Sequence, residues 1–183
     1  MQRIHVATAS KHKDKEVEYK SCVDAMKRSD EAYRDLQARS ALNKTIVAAF
    51  KRSARIEGLI RMVMEDLVQC RRHPDECIMK NMCHAIVGEF DVQTEHFGVE
   101  IRAAGPLDKL LTIWVKTRNA SAHKEEVIGR VDYERYHSIM DVLETTLGVL
   151  HRILTGKDFS PAFGVLCDAV VSTATQAASR PLY

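Results

Sequence analysis

Apolar residues recur at helical intervals along most of this chain. Between residues 41 and 69 they keep a period of about 3.6 residues, which is typical of an amphipathic helix with one buried face. Pro74 interrupts the pattern, and a second helix is predicted from about Asp75 to Phe90. Three residues with turn chemistry then mark a loop: Gly98, Gly105 and Pro106.

Two further helices follow this loop. The third has an apolar stripe at i, i+3, i+4, i+7 and i+8, formed by Leu107, Leu110, Leu111, Trp114 and Val115. The closing helix has Asp132 as its predicted N-cap and Gly156 at its end. Its heptad-like seam comprises Tyr136, Met140, Leu143, Leu147, Leu150 and Leu154. A short helix is expected at about Phe163–Val171, before a frayed end.

These elements predict an all-α protein, a bundle of about four to five helices. The 183 residues divide into a charged N-terminal helical extension (1–39), a helical domain (40–156) and a C-terminal tail with a short helix (157–183). The extension is either a solvated helix packed along the domain or an arm that binds a partner or clasps a dimer.

Composition excludes several classes of protein. A net charge of +2 does not indicate broad, nonspecific binding to duplex nucleic acid. No stretch reaches the roughly 20 apolar residues of a membrane span, and the N-terminus lacks the apolar core of a signal peptide. Five cysteines, an odd number, indicate reduced thiols and a cytoplasmic location.

The chemistry concentrates in one hexapeptide, Arg118-Asn119-Ala120-Ser121-Ala122-His123. Arginine is a permanent cation that grips a phosphate at two points, and histidine exchanges a proton near neutral pH. Together they can cleave a phosphodiester without a metal. Arg118 also stands at the next position of the third helix's apolar stripe, where the core face ends.

The spacing of these residues constrains the site. Five residues turn a regular helix through about 140°, so Arg118 and His123 do not share a face, whereas Asn119 and His123 do. Arg118 and His123 therefore meet either if the helix loosens or ends between them, or across a dimer axis.

The arrangement resembles the HEPN superfamily of helical domains, many of which are ribonucleases with an R-x(4–6)-H motif. The match is carried by Arg118, Asn119 and His123 and by the helices around them, over roughly residues 40–156. The resemblance implies a metal-independent endoribonuclease without a cofactor. It also implies a homodimer with a composite site, acting on RNA as a toxin or defence effector under an antitoxin or regulatory protein.

One branch of the superfamily has R-x4-H-x-Y, with a tyrosine that can be adenylylated. Glu125 stands at that position here, so control by this modification is not expected. Two rival interpretations stay open. One is a HEPN-like module that binds a protein or a nucleotide and cuts nothing. The other is a plain helical bundle in which the motif is accidental and His123 is buried.

Other candidate residues surround the motif. Glu57 is either a structural partner for an arginine, the favoured interpretation, or a neighbour of the site. Four cations could form a positive rim for RNA, or simply a solvated face: Lys51, Arg52, Arg55 and Arg61. The cluster Cys70, His73, Cys77, Cys83 and His84 matches no common zinc spacing, so no metal site is predicted.

Overall fold

The protein is described here by a computed structural model. It describes residues 44–70, 78–123, 131–157, 163–180 and 182, with residues 31, 34, 35, 37, 38, 41 and 42; for 121–123 it describes the backbone alone. The chain forms two compact units, Met1–Lys44 and Thr45–Tyr183. Most of the predicted extension 1–39 lies outside the described residues, and those described within it are helical.

Five helices make up the described part of the chain from residue 44 onward. They are α1 (residues 44–69), α2 (Met79–His96), α3 (Ala104–His123), α4 (Tyr133–Leu154) and α5 (Phe163–Ser179). The described residues include no strand, so the predicted all-α class is confirmed. None of the described helices is long and apolar enough to cross a membrane.

The helix ends follow from local chemistry. The Asp132 side chain accepts a hydrogen bond from the Arg135 backbone N–H (3.1 Å), as its predicted N-cap role requires. Gly156 (φ 75°) and Gly98 (φ 64°) adopt the left-handed conformation that terminates α4 and α2. Beyond each glycine, the next N–H bonds a carbonyl five residues earlier: Lys157 to Arg152 (2.8 Å) and Val99 to Thr94 (3.0 Å).

Two predicted boundaries were wrong. Helix α2 continues past Phe90 to His96, because Gln93 and Thr94 are buried in the next turn. Gly105 and Pro106 belong to the first turn of α3 rather than to a loop. Proline is tolerated there because the first N–H groups of a helix have no partner within it.

Helix α3 lies at the centre of the bundle and packs against α2, α4 and α5. Its predicted stripe is buried from Leu107 to Trp114, with Trp114 and Leu110 fully inaccessible, while Val115 is half-buried. The seam of α4 is buried from Tyr136 to Leu150. Helix α1 adds Ile56, Ile60 and other buried apolar residues, and its Asp66 carboxylate lies 2.7 Å from Nδ1 of His151 on α4. Burial of α3 on several sides fixes its rotation about its axis.

Helix α5 is longer than the expected segment Phe163–Val171 and continues to Ser179. Phe163 is fully buried, and its ring centroid lies 5.2 Å from that of Phe90 and 5.1 Å from that of Phe97. Cys167 and Val170 are buried one and two turns later. These contacts secure α5 to the end of α2.

Replacing Phe163 with alanine should destabilise the protein by about 3–5 kcal/mol, because a buried ring is lost and leaves a cavity. The free energy of unfolding is measured by urea denaturation. The control is Val165→Ala on the same helix, where the side chain is 71% exposed and the change should stay within about 0.5 kcal/mol. Equal effects of the two substitutions would contradict this account of how α5 is held.

Candidate functional site

The Arg118–His123 segment lies within one continuous helix. Helix α3 is unbroken from Ala104 to His123, so the alternative in which the helix ends between the two residues is wrong. Their positions are therefore about 140° apart around the axis and about 7.5 Å apart along it. The side chain of His123 lies outside the described residues. Within one protomer, the helix directs the two positions to different faces.

Arg118 is half-buried and paired with Glu57. Its Nη2 lies 2.5 Å from Oε2 of Glu57 on α1, and its Nη1 donates to Oδ1 of Asn119 at 3.2 Å. Arg61 donates to the other carboxylate oxygen of Glu57 at 3.0 Å. The Arg118 side chain keeps 35% of its surface exposed, against 22% for Glu57. Glu57 therefore anchors one edge of a guanidinium that still reaches solvent.

The electrostatics of Glu57 follow from these contacts. The hydrogen bond from Arg61, together with the charge and hydrogen bond of Arg118, lowers the pKa of Glu57, while partial burial acts in the opposite direction. Glu57 is thus held as a carboxylate. The arginine partner expected from the sequence is present, and it is the arginine of the motif.

Most cations of the predicted positive rim form ion pairs with carboxylates. Arg52 binds Glu144 on α4 (3.0 Å) and also contacts Asp141. Arg55 lies 3.7 Å from Glu144, and Arg61 is engaged by Glu57. Lys51 is exposed. Glu57 therefore brings Arg61 close to Arg118. Arg52 and Arg55 pair with α4 instead.

A cleft lies beside Arg118, where the last turns of α3 meet α1 and the beginning of α4, and its empty space, with the open mouth included, is about 300 Å³. The described residues that line it are Ile46, Ala49, Phe50, Ser53, Thr117, Arg118, Val131, Tyr133 and Tyr136. Its wall is mainly aliphatic and aromatic. Arg118 contributes the only charged side chain among these lining residues.

Three hydroxyl groups in this cleft are buried and have no hydrogen-bond partner in the described part of the chain. They belong to Ser53, Thr117 and Tyr136, each at least nine-tenths buried. Burial raises the pKa of Tyr136, so the phenol stays protonated; the nearby Ser53 hydroxyl and the charge of Arg118 partly offset the rise. The Ser53 and Tyr136 hydroxyls nevertheless lack the geometry of a hydrogen bond to each other.

The sequence alone does not assign these hydroxyls to the site. Ser53 lies within the apolar stripe of α1, and Thr117 directly precedes Arg118. A polar residue on a buried face was the available signal, but it did not show whether the hydroxyl has a partner. Only the packing of α1, α3 and α4 decides that.

The cysteine and histidine cluster does not assemble a metal site within the described residues, where no three ligating side chains converge. His73 and Cys77 lie outside those residues. Burial, with a contribution from Asp108, raises the pKa of the Cys83 thiol to about 11, which disfavours the thiolate that a metal requires. Cys83 is therefore a core residue.

Replacing Glu57 with glutamine should lower the free energy of unfolding at pH 7 by about 1 kcal/mol, because Arg118 and Arg61 lose a partly buried counter-charge. The pKa of Glu57 is lowered by folding, so its contribution is present above its ordinary value and is lost as pH falls through the folded value. Urea denaturation at several pH values should therefore show the two proteins converging in acid.

The control for this substitution is Glu65→Gln, at an exposed position on the same helix. It should change stability little at any pH. A stability difference for Glu57→Gln that persists unchanged below the folded pKa would contradict the ion-pair explanation.

No protein-family model, curated protein or solved structure significantly matches this chain. The resemblance to HEPN domains thus rests on the motif residues and the helical pattern around them.

Proposed function

We propose that this protein is a metal-independent endoribonuclease of HEPN type that acts in the cytoplasm. The observation that carries the proposal is the half-buried Arg118 guanidinium, anchored by Glu57 and exposed beside a cleft at the end of α3. A cation so placed suits the phosphate of a ribonucleotide. His123, five residues further along the same helix, is the general acid–base group of the motif.

The proposed reaction uses the 2′-hydroxyl of RNA as nucleophile. Its oxygen attacks the adjacent phosphorus, its proton passes to His123, and the bond from phosphorus to the 5′-oxygen breaks. The protonated His123 then gives that proton to the departing 5′-oxygen, so the enzyme ends unchanged. The products are a 2′,3′-cyclic phosphate and a 5′-hydroxyl. Arg118 stabilises the charge on the non-bridging oxygens as the phosphorus becomes five-coordinate.

Glu57 has a positioning role in this proposal. A guanidinium has five N–H donors, and the described contacts of Arg118 go to Glu57 and Asn119. Donors therefore remain for a phosphate, while the carboxylate limits rotation of the side chain. Holding the cation in place before substrate arrives reduces the cost of ordering it in the transition state.

The helix geometry favours a site completed by a second copy. Because α3 is continuous, the positions of Arg118 and His123 in one protomer lie on different faces of the helix. A two-fold dimer places the same patch on both subunits, so Arg118 of one copy can meet His123 of the other. The active form is therefore a homodimer in which each site combines two chains.

The competing function is a HEPN-like module that binds a ligand without cleaving it. The ion pair itself favours this alternative, because Glu57 neutralises the charge that catalysis would use. The two functions differ in what they demand of Arg118. Cleavage requires a planar two-point grip on phosphate, whereas a structural ion pair needs only a positive charge.

His123→Ala should reduce RNA cleavage by about 10²–10⁴-fold while leaving the thermal midpoint unchanged, because the proton-transfer group is lost. Arg118→Lys should impair cleavage almost as much as Arg118→Ala, at about 10²-fold or more, because lysine cannot form the two-point contact. Both effects are measured on a single-stranded RNA with EDTA present, since wild-type cleavage should survive chelation.

The control is His96→Ala, an exposed histidine at the end of α2, which should cleave normally. Near-normal cleavage by the Arg118→Lys protein, with a lowered midpoint for Arg118→Ala, would assign Arg118 to the ion pair alone. Cleavage that vanishes with chelator and returns with added metal would contradict the mechanism.

Mixing the inactive Arg118→Ala and His123→Ala proteins should restore about a quarter of wild-type activity, because half of the dimers are mixed and one of their two sites is intact. The mixture is allowed to exchange subunits before the cleavage rate is measured. Light scattering at micromolar concentration should give the mass of a dimer. A mixture that stays inactive despite mixed dimers would contradict the composite site.

A further inference from the structure

The cleavage motif does not explain why three buried hydroxyls without partners lie together beside Arg118. Burying a polar group without a partner costs about 1–3 kcal/mol, and native proteins seldom leave such groups together. Here Ser53, Thr117 and Tyr136 come from three different helices and line the same cleft. Their grouping requires a reason other than the stability of the free protein.

Thr117 differs in its hydrogen bonding from other helical threonines of this protein. Thr94, Thr145, Thr146 and Thr175 are also helical, and each donates its hydroxyl to the carbonyl four residues earlier, at 2.7–2.9 Å. That bond is available to almost any threonine in a helix. The Thr117 hydroxyl does not make it, although the residue is buried. Its oxygen is left for an occupant of the cleft.

The chemistry of the cleft defines that occupant. A hydroxyl can both donate and accept, so three of them fit a group whose edge carries donors and acceptors. Ile46, Phe50, Val131 and Tyr133 offer apolar and aromatic surface, which fits a flat face. The described lining has no charged side chain apart from Arg118, which fits a neutral group that carries an anion.

We infer that the cleft binds one unstacked nucleobase of a ribonucleotide, with Ser53, Thr117 and Tyr136 bonding the edge of the base and Arg118 bonding its phosphate. Proteins recognise single-stranded RNA in this way, by stacking bases on aromatic side chains and bonding their edges. The identity of the ligand rests on the proposed ribonuclease function. The inference adds that the site selects a base next to the phosphate that it cleaves.

The space of about 300 Å³ includes the open mouth of the cleft, so one base enters it edge first and a stacked pair does not. The protonated state of Tyr136, which follows from its burial, supplies a donor at neutral pH. The RNA is therefore held as a single strand with one base turned out of the stack.

The test is calorimetric titration of the full-length protein with the four 5′-mononucleotides, ribose 5-phosphate and the matching nucleosides. At least one mononucleotide should bind, about tenfold or more tightly than ribose 5-phosphate or its nucleoside. Ser53→Ala, Thr117→Val and Tyr136→Phe should each weaken that binding about five- to tenfold, the value of one hydrogen bond. Binding of ribose 5-phosphate should not change.

The matched control is Thr146→Val, because Thr146 is also a buried helical threonine but bonds its own helix. It should bind nucleotide like wild type. Thermal midpoints supply a second readout, since Thr117→Val and Tyr136→Phe remove unpartnered groups and should melt no lower than wild type. If these hydroxyls were structural, both variants would melt lower.

Three results would overturn the inference. In the first, no mononucleotide binds. In the second, a mononucleotide and ribose 5-phosphate bind equally well, which indicates an anion site only. In the third, the three hydroxyl variants bind the mononucleotide as tightly as wild type does. A single-stranded RNA with a 2′-deoxy linkage should displace the mononucleotide. Displacement identifies RNA rather than a free nucleotide as the source of the base. Failure to displace the mononucleotide would overturn the RNA assignment.

None of these measurements depends on cleavage. Nucleotide binding that is lost in the hydroxyl variants, without any RNA cleavage, would reject the proposed nuclease and keep the base pocket. Cleavage that is intact in all three variants, with no nucleotide binding, would reject the base pocket and keep the proposed nuclease.

Discussion

The burial of α3 is the constraint on which the rest of the structure depends. This helix packs against α2, α4 and α5, and its stripe from Leu107 to Trp114 is inaccessible to solvent. A helix held on several sides cannot rotate without exposing that stripe, and each buried leucine contributes about 1.5–3 kcal/mol. The directions of Thr117 and Arg118 at its end are thereby set by the core.

That rigidity explains both the strength and the incompleteness of the candidate site. Arg118 emerges where the core ends, so its stem is packed while its guanidinium meets Glu57 and solvent. The position of His123 follows on the same unbroken helix, about 140° around its axis from that of Arg118. The proposed composite site in a dimer would reconcile these facts, because a second copy would supply the missing direction without breaking the helix.

In the proposed base pocket, stability would be exchanged for binding. An apolar residue at Ser53 or Thr117 would fill the same space without burying an unpartnered hydroxyl. Polar groups left unpaired in the free protein cost stability, and such costs concentrate at sites that serve a ligand. The Glu57 carboxylate acts in the opposite way, since it satisfies Arg118 and Arg61 before any ligand arrives.

The sequence by itself determined the helical class, the approximate position of each helix and the caps at Asp132 and Gly156, because periodicity and capping are local properties. It also identified Arg118 at the end of a buried stripe and an arginine partner for Glu57. The extent of α2 and α5 depended on tertiary packing. Phe163, for example, stabilises a helix whose polar and small residues predicted a frayed tail.

What only the tertiary structure decided is which groups meet. Ser53, Thr117 and Tyr136 are far apart in sequence, and no local pattern shows that their hydroxyls enter one cleft without partners. The pairing of Arg52 with Glu144 on α4, rather than with a ligand, depended equally on how α1 packs. Local rules fix how a helix begins, ends and divides into faces, but contacts between helices depend on the packing of the whole bundle.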